Sequence, residues 1–353
     1  MSAISTSQPS QKRRRTDEGD DACPPIDEMV KDDDLWYSDG NIVVGSGTSL
    51  FRVHKGVLSK HSTVFDDMFG GPPHRGEELE GCPFVRLYGD NPVEVRCLLK
   101  EMYGLRERED RKISIDTLCA FVRLGEKYDI ANMRRQGASI LEKIYGPNLH
   151  IYKMRQNDFN SDRGPYENGS FPVTPWKKQY CFSVYPLARD HGMKSIAARA
   201  LYECCRFPLA SITPALVPRL TPDILWACAL GREELMKRGA EQLLKLSQEG
   251  VQKLEDTDDN LPHCICENNM SCKRSLRVTY DLVGSGLAAA RVDVLDGGGF
   301  HSGRGGDPFL KRAERGLCTH CRFSLHGIMG EEVASAWEAL PDILATAMEG
   351  IPV

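Results

Sequence analysis

The stretch from Leu50 to Pro73 constrains the chain more than any other, because its side-chain period changes once and is then stopped. Leu50 to Val53 has the apolar and aromatic character of a strand. His54, Leu58, Ser62, Phe65, Met68 and Phe69 then recur at spacings of three and four. That period is helical, and it places Leu58, Phe65 and Met68 on one face. Gly70-Gly71-Pro72-Pro73 ends the helix, since proline has no N–H to donate and paired glycines are costly to order. Upstream, Asn41 to Val44 reads as a second strand, preceded by an Asp39-Gly40 turn. The turn Gly45-Ser46-Gly47-Thr48 joins the two strands into a hairpin.

The same alternation of periods continues. Phe84 to Tyr88 is a short strand, and Pro92-Val93 opens a helix through Leu98, Leu99, Met102 and Tyr103. Ile115 to Tyr145 carries two more helices. Leu118, Phe121, Val122, Leu124 and Tyr128 form the apolar face of one, and Met133, Ile140, Leu141 and Ile144 that of the other. A small sheet with paired helices is an α+β arrangement, here a domain over 34–146 of about 110 residues.

Composition divides the rest. Residues 147–176 turn to Pro, Asn, Asp, Gly and Ser, the mark of a linker or long loop. A helical region over 177–248 follows, with amphipathic periodicity in Ala188 to Cys205 and Asp223 to Leu246 and prolines 208, 214, 218 and 222 between them. Residues 249–310 are a variable Cys- and Gly-rich stretch. A C-terminal helical segment spans 311–353, anchored by Trp337, Leu340, Ile343 and Leu344.

Residues 1–33 contain almost nothing apolar to offset the entropy of ordering, so a disordered tail is expected there. Within it Lys12, Arg13, Arg14 and Arg15 form a basic run that reads either as a nuclear-import signal or as a solvated charge run. The whole chain has 45 basic and 50 acidic side chains and a formal charge of -5, which gives no global attraction to nucleic acid or to an acidic membrane. No apolar run approaches the roughly 18 to 20 residues a spanning helix needs, and the N-terminus lacks the apolar stretch of a signal peptide. An intracellular chain, nuclear or cytoplasmic, is therefore expected, and most of its 13 cysteines are expected to be reduced, buried packing residues.

The run Phe51-Arg52-Val53-His54-Lys55-Gly56-Val57-Leu58, continuing through Ser62, Phe65 and Met68-Phe69, resembles the heart of a BTB/POZ domain. Asp39-Gly40, Val85-Arg86-Leu87, Leu98-Leu99, Met102-Tyr103 and Leu124-Gly125-Glu126-Lys127-Tyr128-Asp129-Ile130 follow in the order that family shows. Ala200-Leu201-Tyr202-Glu203-Cys204-Cys205, Leu230 to Leu235, Cys318-Thr319-His320-Cys321 and Trp337 to Pro341 resemble a large group of fungal BTB-domain proteins with a helical C-terminal half. The resemblance implies a non-enzymatic protein that forms a two-fold homodimer and recruits other proteins. Asp39 and Lys55 stand where the family carries a charged pair near the dimer interface; read alone, they are an ordinary turn aspartate and a surface lysine. With the Leu58, Phe65 and Met68 face they make up the expected interface, and covering such a face with a second copy would stabilise a small domain. His54 is expected to be structural rather than a catalytic base. Two further roles within the family's range are a cullin ubiquitin ligase adaptor and a transcription regulator. The apolar-x-Glu motif of some cullin adaptors is broken here, since Leu79 is followed two places on by Gly81.

Two signals remain. Val283-Gly284-Ser285-Gly286-Leu287-Ala288-Ala289-Ala290 imitates a dinucleotide turn, but the next strand-like run comes too soon for the crossover helix that fold requires, so a hairpin turn is the expected reading. Cys318 and Cys321 have C-x-x-C spacing, and Cys264, Cys266 and Cys272 lie about 50 residues earlier in a polar stretch. Two ligands from each cluster would close a structural zinc site; the alternative is five reduced thiols used for packing. No other cofactor is expected.

Overall fold

The computed structural model describes residues 24–71, 77–105, 113–158, 177–217, 220–255, 272–278 and 317–349. The chain divides into two compact units, Met1–Arg106 and Glu107–Val353.

The first unit is built on a mixed five-stranded sheet. Its strands are β1 (Val30–Trp36), β2 (Ile42–Ser46), β3 (Ser49–Val53), β4 (Glu78–Leu79) and β5 (Cys82–Arg86), in the order β1-β3-β2-β5-β4. The expected hairpin is present, with β2 antiparallel to β3 from Ile42 opposite Val53 to Ser46 opposite Ser49. Its turn is tighter than the four residues expected. Gly47 adopts φ 50°, which a two-residue hairpin turn requires, while Gly45 belongs to the strand. A Cβ at Gly45 would lie 2.7 Å from the Phe84 ring, so this glycine leaves room for that ring to lie against β2. The pairings β2 with β5 and β1 with β3 are parallel, and parallel neighbours need long connections. Helices α1 (Lys55–His61) and α2 (Thr63–Gly70) lie in the connection between β3 and β5.

These two helices replace the single one expected from the three-and-four spacing. Ser62 is extended, at φ -138° and ψ 121°, and its hydroxyl accepts the Phe65 N–H at 3.0 Å. It therefore caps α2 instead of continuing α1. Helix α3 (Pro92–Met102) begins as anticipated, with Pro92 in its first turn and the Asn91 side chain accepting from the Val93 N–H at 2.9 Å. The core of this unit includes Leu35, Ile42, Val44, Phe51, Val53, Leu58 and Phe65.

Strand β1 lies partly within the stretch expected to be a disordered tail. The Val30 N–H donates to the Thr48 carbonyl at 2.8 Å. The Asp32 carboxylate accepts the N–H groups of Asp34 and Leu35 and binds Arg96 Nε of α3 at 2.6 Å. The acidic residues that suggested solvation are thus held by cations more than sixty positions away, a pairing that local composition does not register. Two-residue β4 was likewise unanticipated. Glu80 and Gly81, at φ 51° and 74°, turn it tightly into β5.

The second unit is helical: α4 (Ile115–Lys127), α5 (Ala131–Tyr145), α6 (Leu149–Asp158), α7 (Cys181–Asp190), α8 (Lys194–Cys205), α9 (Pro222–Glu255), α10 (Thr319–Glu338), α11 (Leu340–Ile343) and α12 (Ala345–Met348), with a further helical turn over 272–278. Helices α4 and α5 match the pair expected. Helix α6 falls where a linker was expected. The helix expected to begin at Ala188 is the end of α7 followed by α8, separated where Gly192 takes φ 69° and the Met193 N–H donates back to the Ala188 carbonyl.

Two buried groups tie this unit together. Arg155 and Glu203 form an ion pair at 2.6 Å with both side chains enclosed, and the Arg155 guanidinium lies over the Tyr145 ring. Trp337, also buried, donates from Nε1 to the Pro147 carbonyl at 2.6 Å and packs against Tyr152 and Tyr202. Among the described residues no helix is long and apolar enough to cross a membrane.

Candidate functional site

The residues expected at an interface separate into two groups. Leu58 and Phe65 are enclosed in the core of their own unit, at 0% and 1% exposure, whereas Met68 is 41% exposed. The face predicted for a second copy is therefore corrected: Leu58 of α1 and Phe65 of α2 pack inward on either side of the break at Ser62, while Met68, three positions after Phe65 in the same helix, stays outside. Phe65 and Phe69 stack with ring centres 5.9 Å apart, and Lys55 Nζ lies 5.8 Å from the centre of the Phe69 ring. Val30, Tyr88 and Val93 also present large apolar side chains to solvent on this unit.

Asp39 and Lys55 do not pair with each other. The Lys55 N–H donates to the Asn41 side chain at 2.8 Å, while the Asp39 carboxylate, 81% exposed, lies 3.3 Å from His54 Nε2. His54 stands between two partners. Its backbone N–H donates to the Tyr103 oxygen at 2.8 Å, and its Nδ1 is 2.9 Å from the same oxygen. The ring thus shares one hydrogen bond with the phenol through Nδ1 and turns Nε2 toward Asp39. Tyr37 stacks on Tyr103 at 4.8 Å between ring centres. Burial raises both phenols above the ordinary value of 10, so they remain protonated. The cluster joins the start of α1 to the residue that ends α3, which fits the structural role expected of His54.

The buried cysteines form two groups. Burial raises the Cys181 and Cys204 thiols, which also hydrogen-bond each other within the helical core. Cys272, Cys318 and Cys321, in contrast, bring their Sγ atoms within 4.8 Å of one another. Cys318 caps α10, and its sulfur accepts the Cys321 N–H at 3.4 Å. The Cys272 sulfur accepts the Cys318 N–H at 3.3 Å. The C-x-x-C spacing places Cys318 at the cap and Cys321 at the third helical position, so both thiols meet at one helix end. Burial, and then the neighbouring Cys318 and Cys272 thiols, push Cys321 up to about 12. Cys264 and Cys266, the other two expected ligands, lie outside the described residues, as do Lys12 to Arg15 and the Gly284 turn.

A mixed sheet with short helices against it, whose polar residues lock its own strands and helix ends and whose surface carries large apolar side chains, has the build of a protein-interaction module. Residues 31–145 match the BTB/POZ domain family, and this part of the chain is a BTB/POZ domain. It is followed by a mostly helical C-terminal region. No curated protein matches the chain at a significant level.

Proposed function

We propose that this chain is a non-enzymatic interaction protein in which the BTB/POZ domain forms a homodimer and recruits protein partners, with the helical C-terminal region as a second binding or packing module. The observation that carries the reading is the apolar surface of the BTB/POZ domain, where Met68 at 41% and Tyr88 and Val93 at more than 60% exposure are left outside a core that is otherwise well filled. Side chains of this size lose most by remaining in water, roughly 1.5 to 3 kcal/mol each relative to full burial, and a second protein surface can recover part of that. Met68 and the adjacent Phe69–Lys55 pair replace the Leu58, Phe65 and Met68 face as the interface candidate, with exposed Asp39 beside His54, the residue before Lys55.

A cullin-adaptor role gains nothing from the Leu79 segment. Position 81, where the motif of some adaptors would need Glu, is a hairpin-turn residue at φ 74°, and glycine adopts that conformation without strain. Light scattering on the full chain tests the dimer. At micromolar concentration the expected mass is twice that of one chain, falling toward a single chain in Met68→Glu, with Phe65→Leu keeping the dimer if it folds. A single-chain mass for the unmodified protein at tens of micromolar would rule out the dimer.

A further inference from the structure

The thiols of Cys272, Cys318 and Cys321 are not arranged as ordinary core residues. Buried cysteines fill space as small apolar groups and need no common focus. Here three sulfurs from segments more than forty residues apart converge within 4.8 Å, and Cys272 and Cys321 are almost completely enclosed. Three sulfurs around one zinc ion, at about 2.3 Å each and near tetrahedral angles, stand about 3.8 Å from one another, so the observed spacing needs only a small contraction. Two backbone N–H groups already point at the Cys272 and Cys318 sulfurs, at 3.3 and 3.4 Å, the arrangement that stabilises a metal-bound thiolate. The positive end of α10, a 20-residue helix, favours the same negative charge. Soft thiolates with tetrahedral geometry select zinc over harder divalent ions.

We propose that Cys272, Cys318 and Cys321 are three corners of a tetrahedral structural zinc site that staples the 272–278 turn to the start of α10. On binding, each thiol that loses its proton to solvent gains a sulfur–zinc bond, with no change of oxidation state. The staple holds a segment whose own apolar anchors are few, among them Leu276 and Leu317, so metal binding contributes directly to the stability of this part of the second unit.

The test uses the full chain purified without chelator. Elemental analysis should find about one zinc per chain, and cobalt replacement should give a thiolate-to-cobalt charge-transfer band with the intense visible bands of a tetrahedral field. Cys318→Ser, Cys321→Ser and Cys272→Ser should each lose stoichiometric zinc, whereas Cys97→Ser, on α3, should retain it. Zinc-free protein without a cobalt charge-transfer band would overturn the site. So would iron or copper in place of zinc, full zinc content in the Cys318→Ser/Cys321→Ser double variant, or a Cys318–Cys321 disulfide found by mass spectrometry. If the serine variants do not fold, the cobalt spectrum of the unmodified chain decides.

Discussion

The Arg155–Glu203 pair shows how far one residue's role depends on its surroundings. Both side chains are enclosed, 2.6 Å apart. Burial opposes the Arg155 charge, but the Glu203 carboxylate together with Tyr145 and Tyr152 outweighs it and raises the guanidinium above its ordinary value. Removing one partner strands the other charge away from water. Glu203→Gln is therefore expected to cost about 3 to 5 kcal/mol in denaturant unfolding, while the double replacement Arg155→Met with Glu203→Leu should return most of that loss. A double variant no more stable than Glu203→Gln would show that the pair's worth lies in its charges rather than in avoiding an isolated one.

At the scale of the element, β1 is the informative case, because ion pairs hold its acidic residues to α3. Asp34 binds Arg96 and Lys100 at 2.6 Å each. The Lys100 hydrogen bond, chiefly, holds its carboxyl below the ordinary value of 3.8. A depressed acid contributes its stabilisation above the unfolded value and loses it as pH falls through the folded one. Hydrogen exchange of the 30–36 amides, corrected for intrinsic rate, should therefore lose protection on acidification below about 3.8, earlier than in β2. Asp34→Asn should show part of that loss already at neutral pH. Equal protection of β1 in the variant and the unmodified chain would mean that the Val30 to Thr48 hydrogen bond and strand pairing alone hold the strand.

For the helical unit as a whole, the last residues of the chain determine how earlier ones pack. Trp337 reaches back 190 positions to the Pro147 carbonyl, and the Arg199 guanidinium both lies over its ring and donates to its carbonyl. Trp337→Ala removes a large buried ring together with a hydrogen bond to a backbone oxygen, and the unit should lose about 3 to 5 kcal/mol. Thermal unfolding followed by circular dichroism should show that loss, and limited proteolysis should cut sooner near residues 147–158. An unchanged melting temperature would mean that the carboxy-terminal helices are a detachable appendage.

Local chemistry was enough to reveal the elements whose signals are local. The β2–β3 hairpin follows from two apolar runs with glycine between them, the start of α3 from Asn91 and Pro92, and the α4–α5 pair from its apolar period, and the BTB/POZ motif could be read along the same stretch. What the tertiary structure alone decided involves partners distant in sequence. The acidic 30–36 stretch became a strand because Arg96 and Lys100 meet its carboxylates, and helix α6 formed in a polar stretch where Tyr152 and Arg155 find Trp337 and Glu203. Leu58 and Phe65 went inside although Ser62 breaks the helix between them, while Met68, three positions after Phe65 in the same helix, stayed out, because the packing of α1 and α2 on the rest of the unit and not the spacing alone decides which side chains are covered. For the cysteines, C-x-x-C spacing was legible for Cys318 and Cys321, but their meeting with Cys272 depends on how the chain returns across more than forty residues, which no local pattern encodes.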